Sequence, residues 1–225
     1  LLATYKDGRA HLNAYLDDHA FLIDALLELV QTHFRLHDLK WAQALAELLL
    51  EHFEDRERGG FYFVSDDHER LICRSKTAHD NATPSGNGVA AFALQRLGHL
   101  IGESRYIAAA ERAIKAFKEN LERNASGHTT LLCALEETLH APRIVVLRGP
   151  PGAVEVWRAQ LALTYRPDTL IVSIPAGLRD LPAVLDKSVA QDAPAAWICQ
   201  SMSCLPPVLE LTTLEESITQ STAED

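Results

Sequence analysis

The chain lacks an excess of basic residues: 21 Lys and Arg stand against 31 Asp and Glu, giving a formal net charge of −10. No basic surface is therefore predicted that could displace counterions from a phosphate backbone, and neither nucleic acid nor an anionic membrane is expected as a main partner. Uninterrupted apolar runs of the ~18 residues that a membrane span needs are also missing. With 47% hydrophobic residues, the composition is typical of a globular protein with a sizeable core.

Metal and nucleotide motifs are missing as well. The ten histidines include no HExxH motif, so no metal site is predicted. The turn RGPPGAVEVW at 148–157 lacks a GxGxxG pattern, and Pro150 and Pro151 remove N–H donors that a pyrophosphate would need. We therefore predict neither a nucleotide site nor any other cofactor.

Cysteine and methionine are rare. The four cysteines contain no CxxC pair, so neither a disulfide framework nor a zinc knuckle is predicted, and a reducing, cytoplasmic compartment is expected. Cys199 and Cys204 could meet only if the chain turns back between them, and we predict two ordinary thiols rather than a redox pair. The one methionine is Met202, so Leu1 is not an encoded start and we expect a part of a longer protein.

The residue pattern changes near residue 141. All ten histidines lie between His11 and His140, and proline and glycine cluster from Pro142 to Gly152. This change predicts a domain boundary, with one domain over 1–140 and a smaller one over 141–225.

The first predicted domain is helical. Apolar residues surround the first, third and fifth predicted helices, whereas the second and fourth are apolar on one side only. This alternation of inner and outer helices is typical of stacked helical hairpins around a common core. A β-hairpin is predicted between the second and third helices, from strands 59–64 and 70–74. The predicted helices are 17–30, 39–53, 86–101, 104–121 and about 128–140.

The second predicted domain has βαβ order. Short apolar strands are predicted at 143–147, 169–174 and 195–199, and helices at 152–164 and 213–220. A strand, a helix and a strand in succession indicate a small parallel sheet covered by helices. The last five residues, 221–225, are expected to fray.

One stretch concentrates polar groups at a helix start: KTAHDNATPSGNG at 76–88. One interpretation is an elaborate N-cap, because Thr83 or Ser85 can cap the helix and Pro84 suits its first turn. The other is a ligand site, because a helix N-terminus presents unpaired N–H groups and the glycines allow close approach to the backbone. Hydroxyl groups or a small anion could then be bound by side chains of this stretch and its upstream neighbours, namely Arg74, Lys76, His79, Asn81, Ser85 and Asn87.

A second polar helix start, at Asp17 and Asp18, precedes the first inner helix. If the two inner helices point the same way, these ends meet at one mouth of the bundle. Asp18 and Asp80 would then be a pair of carboxylates able to perform acid–base chemistry on a carbohydrate, with Asp17 among the substrate-binding residues. The alternative is that the aspartates act only as helix caps.

Four motifs carry a family resemblance: DGRAHLNAYLDDHAFLIDALLELVQ, GGFYFVSDD, DNATPSGNGVAAFALQRLG and AWICQSMSCLPPV. They resemble the C-terminal region of the thioredoxin-domain proteins related to spermatogenesis-associated protein 20. The resemblance implies an upstream thioredoxin-like domain and a helical region similar to the six-hairpin toroids of N-acylglucosamine 2-epimerases and many glycosidases. This chain would contain about two and a half hairpins of a mainly α, (α/α)6 toroid, followed by a small α/β tail.

The resemblance leaves three functions open. The chain could contribute to a carbohydrate-binding or carbohydrate-processing toroid, dock clients for the absent thioredoxin-like domain, or serve only a structural purpose. Because two and a half hairpins cannot close a toroid, exposed inner-helix faces are expected to associate with the upstream half of the protein or with a second copy of this chain.

Overall fold

The computed structural model describes residues 1–68, 71–189, 192–201 and 203–220; the predicted fraying of 221–225 lies outside these ranges. Contacts divide the chain into two compact units. The first contains Leu1–Glu28, His37–Gly98 and Glu103–His140, and the second contains Leu29–Leu36, His99–Gly102 and Ala141 onward. None of the helices in the described ranges is long and apolar enough to cross a membrane.

Helices dominate the first unit, which confirms the prediction of a mainly α fold. The third predicted helix is observed with the predicted bounds, and almost every residue of it is buried, because most of its sequence is apolar and its buried Asn87, Gln95 and Arg96 have hydrogen-bond partners. The fourth predicted helix is broken at Phe117, and the second ends in one π-helical turn, Leu49–Phe53. The closed toroid stays a prediction. The helices are α1 (Leu16–Thr32), α2 (Leu36–Leu48), α3 (Gly86–Ile101), α4 (Ser104–Ala116), α5 (Lys118–Arg123) and α6 (Thr129–Leu139).

A β-hairpin occurs in the first unit, but not where it is predicted. Strands β1 (Leu2–Lys6) and β2 (Arg9–Asn13) pair antiparallel at the chain start. Asp7 and Gly8, the two turn residues, have φ values of 52° and 77°, which suits an Asp-Gly type I′ turn. The Asp-Gly dipeptide between alternating residues was the signal that could have predicted this hairpin.

The predicted strands 59–64 and 70–74 are wrong: the described residues between Phe53 and Gly86 contain no strand. Gly59 and Gly60 both have φ of 75°, so the chain turns back sharply at this point. Phe61 therefore forms an isolated antiparallel β-bridge with Glu54, and the Tyr62 N–H donates to the Phe53 carbonyl at 2.9 Å. The double glycine closes a turn onto the preceding helix instead of starting a hairpin with the following segment.

The elements of the second unit are β3 (Arg143–Arg148), α7 (Pro151–Leu161), β4 (Thr169–Ser173), β5 (Ala195–Gln200), β6 (Ser203–Cys204) and α8 (Leu211–Gln220). The strands form a four-stranded sheet in the order β4-β3-β5-β6. One face of β3 packs through Val145 and Leu147 in a hydrophobic core with Trp157 of α7 and Leu214 of α8.

The sheet is mixed rather than parallel, which corrects the prediction for this region. Strands β3 and β4 are parallel, as expected of a β-helix-β unit. Strand β5 pairs antiparallel with β3, and β6 pairs antiparallel with β5. No helix is observed in the described part of the connection from β4 to β5, so the crossover that would make β5 parallel is missing.

The prediction of two ordinary thiols at Cys199 and Cys204 is also wrong. The chain does turn back between them, Cys199 of β5 lies opposite Cys204 of β6, and the two form a disulfide. The two remaining cysteines, Cys73 and Cys133, are exposed thiols.

Candidate functional site

The start of α1 is held by Asp18. Its carboxylate accepts a hydrogen bond from the Tyr15 N–H at 2.8 Å, three residues earlier. An acidic group at the third helical position that reaches back to the N-cap N–H is one half of a capping box. The predicted catalytic carboxylate therefore has a capping contact, and its role in acid–base chemistry stays a prediction.

Asp80 connects the starts of two helices. Its Oδ1 accepts from the Ser85 N–H, immediately before α3, at 2.9 Å. Its Oδ2 accepts from the Thr129 hydroxyl and the Thr130 N–H, in the first turn of α6, both at 2.9 Å. Burial alone would raise the pKa of Asp80, but these donors hold the pKa below its ordinary value. The carboxylate thus fixes α3 against α6, a contact with residues fifty positions away that the sequence pattern did not indicate.

The start of α3 confirms the predicted Ser85 cap. The hydroxyl of Ser85 accepts from the Gly88 N–H at 3.2 Å. Asn87, which is fully buried, uses its side-chain amide for the backbone of another segment: Oδ1 accepts from the Phe61 N–H at 2.7 Å, and Nδ2 donates to the carbonyls of Phe61 and Thr77, each at 2.9 Å. Asn87 therefore positions the loop beside the helix start, with its hydrogen-bonding capacity used.

A pocket of about 90 Å³ opens where the starts of α1 and α3 meet. The two inner-helix starts come together, as expected if both helices point the same way, and four of the predicted site residues line the pocket. Its volume is well below the ~300 Å³ of a pocket that encloses a drug-sized ligand. It is therefore too small to enclose a ligand of that size. The pocket is lined by Leu16, Asp17, Phe63, Thr77, Asn81, Thr83, Pro84, Ser85, Gly86 and Asn87.

Asp17 is the carboxylate that faces this pocket without an internal donor. Among the described residues, none donates a hydrogen bond to it. Burial, and then the neighbouring charge of Asp18, raise the pKa of Asp17 above its ordinary value. A Cβ added to Gly86 would lie 2.0 Å from Asp17 Oδ1, so the carboxylate rests directly on the first turn of α3. Asp17 is thus the acidic group of the pocket best able to accept a hydrogen bond from a ligand.

Arg74 and Lys76, predicted to bind substrate, have internal partners. The Arg74 guanidinium donates to the carbonyls of His52 and Val64 and lies 4.3 Å from the centre of the Tyr62 ring. Lys76 Nζ lies 2.8 Å from Asp55 Oδ2 and 2.6 Å from the Gly59 carbonyl oxygen. Both cations hold the turn that follows α2, and their role toward a ligand stays a prediction.

His79 lies outside the pocket lining. It is exposed and its ring packs edge-on against His128, with 5.3 Å between the ring centres. The backbone N–H of His79 donates to the Thr77 hydroxyl at 3.3 Å. His79 thus belongs to the loop around Gly127, and its predicted contact with substrate is untested.

One arrangement could accept a cation. The ligand atoms of His52, Asp66 and Asp67 lie within 4.8 Å of one another at the surface. The His52 Nδ1–Asp66 Oδ1 distance of 2.8 Å is that of a hydrogen bond, which raises the pKa of His52. That contact accounts for the proximity of the two residues, and the cluster carries no argument for a metal.

No protein-family model matches the chain. It is 26% identical over 216 residues to spermatogenesis-associated protein 20 of Rattus norvegicus, which covers 92% of the chain and 27% of that protein. The human protein of the same name is 25% identical over 205 residues, covering 87% of the chain and 26% of that protein. An uncharacterised protein of Caenorhabditis elegans is 27% identical over 217 residues, covering 94% of the chain and 29% of that protein.

These similarities confirm the relation that the four sequence motifs indicated. The chain spans about a quarter of the length of the curated relatives that it matches. A toroid, a sugar site and a thioredoxin-like partner domain therefore belong to what is proposed for the longer protein.

Proposed function

We propose that the pocket between the starts of α1 and α3 binds a small polar ligand rich in hydroxyl groups, such as one edge of a sugar, within a larger toroid. The observation that carries this proposal is the Asp17 carboxylate, which faces the pocket and receives no hydrogen bond from the part of the chain that the structure describes. Buried polar groups are normally hydrogen-bonded, so a half-buried carboxylate of this kind is suited to accept bonds from ligand hydroxyls.

Neighbouring groups complete the proposed site. Asn81 is exposed at the rim and offers both a donor and an acceptor. The Ser85 hydroxyl, whose oxygen caps the helix, still has its own proton to donate. The first N–H groups of α3, which have no intrahelical acceptor, add a favourable field for a partly negative ligand oxygen. Asp18 caps the start of α1, and Asp80 joins the start of α3 to the first turn of α6.

Titration of the full-length protein with mono- and disaccharides, followed by calorimetry, tests this proposal. Asp17→Ala is expected to weaken binding at least tenfold, because a hydrogen bond to a charged group contributes about 1.5–3 kcal/mol. Asp192→Ala, which removes an exposed carboxylate from the second unit, is the matched control and should leave affinity unchanged. Absence of saturable binding would contradict the proposal and favour the alternative, a docking region for clients of a thioredoxin-like domain.

The proposal includes an association partner for the first unit. Several large apolar side chains of this unit are strongly exposed, among them Leu12, Ile72 and Leu139. Apolar surface of this kind favours association. The upstream part of the longer protein, or a second copy of this chain, is the proposed cover. Light scattering of the isolated chain should therefore show a dimer or larger species, and a monomer at high concentration would contradict this part of the proposal.

A further inference from the structure

The disulfide of the second unit joins one buried and one exposed residue. Cys199, in β5, is 3% exposed, whereas Cys204, in β6, is exposed. The two residues lie directly opposite each other with their Cα atoms 4.0 Å apart. In the next residue pair away from the turn, the Leu205 N–H donates a hydrogen bond to the Ile198 carbonyl at 2.9 Å. The two cysteines occupy a non-hydrogen-bonded position of an antiparallel pair, where side chains approach most closely.

A lysine lies beside the exposed sulfur. Lys187 Nζ is 3.2 Å from Cys204 Sγ. A cation next to a sulfur favours the thiolate over the thiol, and cysteines in such surroundings are the reactive ones. The same residue pair thus combines an accessible sulfur, a stabilising charge for its reduced form, and a buried partner sulfur.

A purely stabilising purpose accounts poorly for this bond. It closes a segment of only six residues, and a short closed loop removes little entropy from the unfolded chain. The two strands are already paired on either side of it. The bond therefore adds little restraint where it lies, although it is accessible to a second thiol.

We propose that Cys199 and Cys204 form a reversible thiol–disulfide exchange site for a dithiol partner, with Cys204 as the sulfur that is attacked. In the first step, a thiolate of the dithiol attacks Cys204 Sγ, the sulfur–sulfur bond breaks, and its electron pair leaves on Cys199 Sγ, which takes up a proton. In the second step, the remaining thiolate of the dithiol attacks the dithiol sulfur that is bonded to Cys204, and a disulfide forms within the partner. Cys204 leaves as a thiolate beside Lys187, the dithiol is oxidised by two electrons, and the cysteine pair is reduced by two.

Lys187 has the same effect in the reverse direction. It stabilises the Cys204 thiolate, which attacks a disulfide of the partner, and Cys199 then attacks Cys204 Sγ to release the partner as a dithiol. Lys187 is a positioning residue: its ammonium stabilises negative charge on Cys204 Sγ, and it takes no part in making or breaking bonds.

The first experiment uses the chain with Cys73→Ser and Cys133→Ser, which removes the two exposed thiols. Native protein is treated with dithiothreitol, the dithiothreitol is removed, and the free thiols are then labelled with a maleimide polymer in denaturant, so that buried Cys199 is counted, before separation by mass. Two labels per chain are expected, with an unchanged circular dichroism spectrum and a return to zero labels after oxidised glutathione is added. A pair that is reduced only in denaturant, or whose reduction unfolds the chain, would show a structural bond and overturn the proposal.

The second experiment measures the role of Lys187 through the pH dependence of alkylation. When Cys199→Ser is added to the Cys73→Ser and Cys133→Ser changes, Cys204 is the one remaining thiol, and iodoacetamide reacts with it as its thiolate. Lys187→Gln should slow alkylation severalfold at pH 7 and move the midpoint of the pH profile upward, whereas Lys40→Gln, an exposed lysine of the other unit, should have no effect. Identical profiles for Lys187→Gln and its parent would overturn the assignment of this lysine.

Discussion

The side-chain amide of Asn87 pairs with both backbone polar groups of Phe61, as a neighbouring strand would. Its Oδ1 accepts from the Phe61 N–H at 2.7 Å and its Nδ2 donates to the Phe61 carbonyl at 2.9 Å. The amide is fully buried, so neither backbone group has water as a substitute. One side chain at the start of α3 thereby fixes the loop that forms part of the candidate pocket.

Asn87→Ala should therefore be strongly destabilising. It leaves buried donors and acceptors unpaired, each at a cost of about 1–3 kcal/mol, and a total loss of roughly 3 kcal/mol is expected in urea unfolding. Asn81→Ala, at the exposed rim of the same stretch, is the control and should change the free energy of unfolding by less than about 0.5 kcal/mol. Equal stabilities of the two variants would contradict the assigned role of Asn87.

Asp80→Asn should weaken the junction between α3 and α6 by about 1–2 kcal/mol at pH 7, the usual contribution of a helix cap. Despite burial, hydrogen bonds keep the folded-state pKa of Asp80 below its unfolded value. The stability it contributes is therefore present above the unfolded pKa of about 3.9 and is lost as pH falls through the folded pKa. Urea unfolding between pH 3 and pH 8 should show the difference from the native sequence shrinking below about pH 4.

Asp17→Asn should have the opposite effect. Burial and the charge of Asp18 raise the folded-state pKa of Asp17, so its ionisation disfavours the folded state. The penalty is absent below the unfolded pKa and develops as pH rises through the folded pKa. The variant should be more stable than the native sequence at pH 7 and equal to it near pH 3; a loss of stability at pH 7 would show that Asp17 has a partner that stabilises its charge.

Lys76→Met should destabilise the turn after α2. Lys76 is the first cause of the lowered pKa of Asp55, whose carboxylate also accepts from the Tyr62 hydroxyl at 2.8 Å. Removing the ammonium leaves the buried Asp55 carboxylate with neutral donors but without its cation, at a cost of about 3 kcal/mol. Thermal unfolding should show partial recovery when Asp55→Asn is added, whereas Lys40→Met, at an exposed position, should have no measurable effect.

The two ends of β3 provide a matched pair of buried arginines. Arg143 donates to the Ile218 carbonyl at 2.6 Å and is paired with Asp168. Arg148 is 2% exposed, and its Nε and Nη1 have no hydrogen-bond partner in the described chain. Arg148→Met is expected to raise the free energy of unfolding by about 1 kcal/mol, and Arg143→Met to lower it, because only the second change breaks satisfied contacts. A loss of stability for Arg148→Met would show that the attraction of the Asp186 charge outweighs the cost of burying the guanidinium.

Local patterns predicted the elements well where one physical cause dominates. The third helix has the predicted bounds because an apolar run between a serine cap and Gly102 leaves few alternatives. The strand 143–147 was predictable for the same reason, as a short apolar run between breakers. The meeting of the α1 and α3 starts was predicted only on the condition that both helices point the same way, a direction that their apolar pattern does not specify.

The parts that were not predictable depend on distant partners. The double glycine at 59–60 turns the chain back onto Glu54 rather than into a hairpin, and that choice depends on Asn87, 26 residues beyond the bonded Phe61. The capping of α6 by Asp80 and the closure of Cys199 onto Cys204 likewise require knowledge of which segments are neighbours in space. For the candidate site, the residue types indicated which helix starts to consider. They did not indicate that backbone N–H groups would donate hydrogen bonds to Asp18 and Asp80.

Gly86 gives the candidate pocket a floor of backbone. A side chain added at position 86 would place its first carbon 2.0 Å from Asp17 Oδ1. Any residue larger than glycine would therefore displace the Asp17 carboxylate from the start of α3. The proposed ligand site thus requires glycine at position 86 as much as it requires the carboxylate itself.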